Sequence, residues 1–187
     1  MSKIAVFFAD GYEEIEALTV VDLCRRAGIE TVMVGVTNDK CVTGSHAIPV
    51  VMDMGLLDVD FDSLDMIVLP GGMPGTKNLE ACELLMDKVD AFFAAGKDVA
   101  AICAAPTVFA GLGLLNGKTS TCNPGFWEEL RKGGANVIED SKVVVNGNII
   151  TSQAMGTSVD FGLALVGYLC GEDAKEELRK NIRFGAL

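Results

Sequence analysis

Val99-Ala100-Ala101-Ile102-Cys103-Ala104-Ala105-Pro106-Thr107 reads as a buried strand running straight into a helix, with a cysteine at the corner. A sharp strand-to-helix turn crowds the side chains two residues either side of its apex. Those positions hold Ala101 and Ala105, and Pro106 suits a first helical turn. Such a turn aims Cys103 outward at the positive end of a helix, where unsatisfied backbone N–H groups stabilise a thiolate and a developing oxyanion. From these residues alone, Cys103 is either a nucleophile or a structural cysteine in a small-residue packing site.

The same strand-then-helix rhythm extends in both directions. Lys3 to Phe8 predicts a buried strand, Tyr12 to Ala27 a helix closed by Gly28, and Glu30 to Val36 a second strand. Further strands are expected at Asp65 to Leu69, Val99 to Ile102 and Ile149 to Thr151. Helices are expected at Ala81 to Ala95, Ala104 to Leu112, Phe126 to Lys132 and Ser158 to Cys170. This alternation describes an α/β protein with a mostly parallel sheet covered by helices on both faces. Asn146-Gly147 between apolar runs adds a late β-hairpin. With 187 residues, 50% hydrophobic content, 21 glycines, 5 prolines and no repeat or linker, residues 1–187 are expected to form one domain.

Charge narrows the partners. The 15 basic residues are outnumbered by 26 acidic ones, giving a net charge of -11, and they form no run, so neither nucleic acid nor an anionic membrane is an expected partner. The six cysteines, at 24, 41, 82, 103, 122 and 170, show no C-x-x-C and no zinc-type pairing, so no metal is expected. Met1-Ser2-Lys3-Ile4 enters a strand pattern at once, without a secretory pattern, and no apolar run reaches about 18 residues. A cytoplasmic protein with reduced thiols is the expectation.

In an open parallel sheet, sites form beyond the carboxyl ends of the strands. Asp10-Gly11-Tyr12-Glu13-Glu14-Ile15-Glu16 follows the first strand. Glu13 and Glu14 read as ordinary partners of a helix dipole. Glu16 shares a stripe with Val20, Leu23 and Ala27, which aims its carboxyl toward apolar surroundings and should raise its pKa. It is either a proton donor to a thiolate or an interior carboxyl bonded to backbone. Gly71 and Gly72, in Leu69-Pro70-Gly71-Gly72, offer either backbone N–H groups for an oxyanion hole or simply a tight turn. Asn123 and Thr157 offer polar contacts to a substrate, but their surroundings read first as turn and cap chemistry. His46 is the single histidine and lies far from Cys103 in sequence, so it reads as a surface or interface residue.

Together Gly11-Tyr12-Glu13-Glu14-Ile15-Glu16, Leu69-Pro70-Gly71-Gly72, Ala100-Ala101-Ile102-Cys103-Ala104-Ala105-Pro106 and Thr151-Ser152 through Gly156-Thr157 resemble the ThiJ/PfpI superfamily. The similarity is greatest to the branch of the parkinsonism-associated protein deglycase and its bacterial relatives, and it covers nearly the whole chain. The resemblance implies a flavodoxin-like three-layer sandwich, a homodimer, and Cys103 as an oxidation-sensitive nucleophile with Glu16 as its protonated partner. It also implies an anion pocket lined by the backbone N–H groups of Gly72 and Ala104.

Departures from that pattern matter too. Ala104 stands where the peptidase-like branch has a histidine, which disfavours proteolysis, and the His-x-Glu of amidotransferase relatives is absent. Cys122-Asn123 replaces the histidine that several members of the nearest branch carry before the proline. His46 falls about where that branch has an arginine near the site across the dimer interface, and Ala154-Met155 replace Gly-Pro. The resemblance implies two functions. One is a cofactor-independent glyoxalase or deglycase acting on small dicarbonyls such as methylglyoxal and glyoxal, or on their early protein adducts. The other is a non-enzymatic redox sensor or stress chaperone with an oxidisable cysteine.

Overall fold

The computed structural model describes residues 2–37 and 39–185. Its strands are β1 (Lys3–Phe8), β2 (Glu30–Gly35), β3 (Cys41–Thr43), β4 (Pro49–Val51), β5 (Met54–Gly55), β6 (Met66–Leu69), β7 (Asp98–Ile102), β8 (Thr119–Ser120), β9 (Asn136–Val137), β10 (Val143–Asn146) and β11 (Ile149–Ser152). Its α-helices are α1 (Glu14–Arg26), α2 (Gly75–Glu80), α3 (Glu83–Ala94), α4 (Pro106–Gly111), α5 (Trp127–Lys132), α6 (Ser158–Cys170) and α7 (Glu172–Asn181).

Seven strands form one sheet in the order β10-β11-β7-β6-β1-β2-β5, and all pair in parallel except the β10–β11 hairpin. Alternation along each strand supplies two cores, because successive side chains point to opposite faces. Ile4, Val6 and Phe8 of β1, with Val68 and Ile102, pack under α1 residues Val20 and Leu23, α6 residues Phe161 and Leu165, and α7 residue Leu178. Ala5 and Phe7, with Ile67 and Val99, pack instead against Leu79 of α2, Leu85 and Phe92 of α3, Phe109 of α4 and Leu130 of α5. The result is the flavodoxin-like three-layer α/β sandwich. Strand order reverses between β1 and β6, so the chain leaves the carboxyl ends of β1, β6 and β7 side by side. That is where a doubly wound sheet places a site.

Several boundaries differ from the sequence reading. The first helix starts at Glu14 instead of Tyr12, because the Glu13 side chain caps it by accepting from the Glu16 N–H at 2.7 Å. The helix expected from Ala104 starts at Pro106, since Cys103-Ala104-Ala105 form the turn itself. The helix expected over Ala81 to Ala95 is α3, while α2 folds from the Gly-Pro-rich stretch before it. The sequence reading omitted α7, whose strongly charged sequence buries only Leu178, and also the β3–β4 hairpin.

Candidate active site

Cys103 occupies the corner between β7 and α4 with φ +65°, a backbone conformation that L residues rarely adopt. Two hydrogen bonds hold it there. Its N–H donates to the Ser152 carbonyl at 3.1 Å, and its carbonyl accepts from the Asn123 N–H at 2.9 Å. The side chain is half-buried between the loop after β6 and the start of α1.

Glu16 approaches from α1 and is buried, at 1% exposure. Its Oε2 accepts from the Gly71 N–H at 3.0 Å, whereas Oε1 has no hydrogen-bond partner. Close packing of this corner requires glycine at 71. A Cβ there would stand 2.6 Å from Cys103 Cβ and 2.6 Å from Glu16 Oε2. Gly72 follows with φ +96°, and its N–H and that of Ala104 favour the charged form of the Cys103 sulfur.

Thiol and carboxyl titrate as a pair. Burial pushes the Glu16 carboxyl up to about 7; the neighbouring Cys103 thiol opposes this, the Glu13 charge adds to it, and the Gly71 and Met155 backbone N–H groups oppose it again. Burial also pushes the Cys103 thiol up to about 12, with the Glu16 carboxylate adding to the shift and the Ala104 and Gly72 N–H groups working against it. The pair therefore keeps both protons below about 7 and shares one proton above it. The sequence reading expected backbone N–H groups at the helix start to favour a thiolate, and this effect opposes the shift without overcoming it. Here α4 has only six residues, and burial beside a carboxyl outweighs it.

The remaining candidates divide. Gly71 gives its N–H to Glu16, which makes it a positioning group and leaves Gly72 and Ala104 to act on the sulfur. Asn123 sits beside the corner, but its Oδ1 caps the following turn by accepting from the Gly125 N–H at 3.0 Å. Thr157 Oγ1 is engaged with Ser152 Oγ and the Ala154 carbonyl, each at 2.8 Å, as turn chemistry. His46 lies on the turn of the β3–β4 hairpin and pairs with Glu14, Nδ1 to Oε2 at 2.8 Å, not with Cys103. Glu14 corrects the helix-dipole reading. It is buried, and it also accepts from the His46 backbone N–H at 2.7 Å. Its role was not legible because the two residues are 32 positions apart.

Comparison with known proteins agrees with this arrangement. The DJ-1/PfpI family model matches residues 2–167. Protein dj-1beta of Drosophila melanogaster is 36% identical over 183 residues, covering 97% of each chain, and the crystal structure of Drosophila DJ-1beta superposes with a TM-score of 0.93 at 34% identity, covering 98% of each. Glutathione-independent glyoxalase DJR-1.2 of Caenorhabditis elegans is 31% identical over 172 residues, covering 91% of this chain and 89% of its own. The structure of Toxoplasma gondii DJ-1, oxidized, has a TM-score of 0.91 at 29% identity, covering 99% and 100%. With a strained cysteine corner, a buried carboxyl against it and matches along nearly its whole length, the chain belongs to the DJ-1/PfpI family.

Proposed function

We propose that this protein is a cofactor-independent, cysteine-dependent glyoxalase or deglycase acting on small dicarbonyls or their early adducts. The observation that carries the reading is the buried Glu16 carboxyl, its proton affinity raised, set against Cys103 with the Gly72 and Ala104 N–H groups acting on the sulfur. Above about pH 7 the pair holds one proton, and the reactive arrangement is thiolate beside carboxylic acid. Thiolate attack on the aldehyde carbon of methylglyoxal forms a C–S bond and moves the carbonyl electron pair to oxygen, which Glu16 protonates. The carboxylate then removes the proton from that carbon and returns it to the neighbouring carbonyl carbon, while the hydroxyl proton passes to the neighbouring oxygen, leaving a 2-hydroxy thioester. Water cleaves the thioester to lactate and regenerates the thiol, so the sum is methylglyoxal plus water with no external oxidant. The name of the nematode relative supports this substrate class.

The experiment is lactate formation from methylglyoxal by the wild-type protein and by Cys103→Ser. Turnover that vanishes in the variant is expected, and equal turnover in both would overturn the reading. The second reading, a redox sensor, is favoured by the half-buried cysteine corner and by the relative solved in an oxidized form. It predicts reversible oxidation of Cys103 by limiting peroxide in a protein without turnover.

Assembly and location belong to the same proposal. We infer a homodimer, because grooves of mixed character run along both sides of α1, one joining Leu18, Leu23, Val159, Ile182 and Phe184 to Asp22 and Arg26, and the other joining Leu18, Val21, Met33 and Val50 to Asp22, Arg25 and Arg26. Six free cysteines support a reducing compartment, the cytoplasm. Among the described residues no helix is long and apolar enough to cross a membrane.

A further inference from the structure

Glu13, Gly71 and Glu16 close a ring of three hydrogen bonds in which each residue donates once. The Glu13 N–H donates to the Gly71 carbonyl at 2.9 Å, the Gly71 N–H donates to Glu16 Oε2 at 3.0 Å, and the Glu16 N–H donates to Glu13 Oε2 at 2.7 Å. We propose that Glu13 is a positioning residue for the Cys103–Glu16 pair. Its carboxylate fixes Glu16 to the loop packed against Cys103. Its negative charge raises the share of the pair's single proton that resides on Glu16, and with it the share of thiolate at Cys103. The inference rests on the catalytic reading only for its effect on turnover, because the place of the proton is a property of the protein without substrate.

A helix cap needs only an acceptor, which a neutral Ser, Thr or Asn supplies. A carboxylate adds a charge, and this one is bonded to the residue that carries the proton. The Glu13 charge is among the influences that disfavour ionised Glu16, whereas those on Cys103 are burial, Glu16 and the Ala104 and Gly72 N–H groups. A like charge felt by one member of a proton-sharing pair and not by the other draws the proton toward the first. The ring has little slack. A Cβ at Gly71 would stand 2.6 Å from Glu16 Oε2, and one at Gly72 would stand 2.3 Å from the Glu13 nitrogen. The other charges near Glu13 are Glu14, next to it in the chain, and His46 on the β3–β4 turn, with one ligating atom of each of the three within 4.8 Å of the others. Glu13 also acts on the Tyr12 hydroxyl. A protonated His46 works against the Glu13 charge. The β6 loop and the segment at Met155 give Glu16 only backbone N–H groups.

Glu13→Gln separates the charge from the cap, since the amide oxygen still accepts from the Glu16 N–H. Two probes follow the full chain against pH without substrate. One is the infrared carbonyl band of the protonated Glu16 carboxyl, assigned by its loss in Glu16→Gln, and the other is the alkylation rate of Cys103. In Glu13→Gln the band should fade at a pH lower than in the wild type by roughly half a unit or more, and alkylation above that point should slow about threefold or more. The melting temperature should hold. Glu13→Ala, which removes cap and charge together, should show both changes and a lower melting temperature. The difference between wild type and Glu13→Gln should persist in a His46→Gln background. A band that fades at the wild-type pH, alkylation at the wild-type rate, or a difference lost with His46 would overturn the proposal. Neither probe needs turnover, so a wild type that forms no lactate would defeat the catalytic reading and not this one.

Discussion

Glu16 ionises only near pH 7 because burial disfavours its charge, and an unfolded chain would release the same proton near 4.5. Between those values the folded state holds a proton that the unfolded state has lost, so stability falls as pH rises through this window. At about 1.4 kcal/mol per pH unit the loss amounts to roughly 3 kcal/mol. Urea unfolding at pH 5 and pH 8 should show it in the wild type and not in Glu16→Gln; the same slope in both proteins would remove Glu16 as its source. Chemistry should respond oppositely. Glu16→Gln keeps a donor but loses proton transfer, and Glu16→Asp shortens the reach, so both should lower dicarbonyl turnover by roughly 100-fold or more. Gln still donates to the sulfur and leaves the thiolate stabilised, whereas an ionised Asp repels it. Thiolate absorbance against pH distinguishes these cases. Full activity with indistinguishable titrations would dissolve the proposed Cys103–Glu16 pair.

At the scale of elements, three strand ends deliver the site, and the tight fit among them limits what each tolerates. Gly71→Ala places a methyl against both Cys103 and Glu16, an overpacking expected to cost about 1–3 kcal/mol and to move the carboxyl off the thiol. Thermal unfolding together with the Cys103 alkylation rate checks this, and unchanged values for both would show that the corner has slack. Much of this was legible in the sequence. The Val99 to Ile102 run ending in Cys103 announced its turn through the small residues at 101 and 105, and the stripe from Glu16 to Ala27 announced a buried carboxyl, because strand and helix periodicities are local properties of the chain. What stayed hidden was nonlocal. The direction of the Gly71 N–H, the buried clasp of Glu14 on the hairpin and the Met155 backbone acting on Glu16 all depend on segments that meet only after folding. Helix α7 was missed for another reason: its apolar stripe is a thin one, Ala174, Leu178 and the following Ile182, set in a run of charged residues that reads as solvated chain.

For the whole molecule, the grooves on both flanks of α1 and the exposed Ile15, Ile48 and Val51 predict a two-chain particle. Light scattering at micromolar concentration should give twice the chain mass for the wild type and the chain mass for Leu18→Arg, while a monomeric wild type would refute the dimer. The opposite rim of the sheet is free of such demands. Strand β11 runs in parallel with β7 from Ile149 beside Val99 to Ser152 beside Ile102, so the Asn146-Gly147-Asn148 turn lies a full strand length, about 13 Å, from the cysteine corner. A protein engineer would see in that turn a graft point. A peptide epitope or reporter inserted after Gly147 extends away from the chemistry, and the thiol it reports on keeps its surroundings.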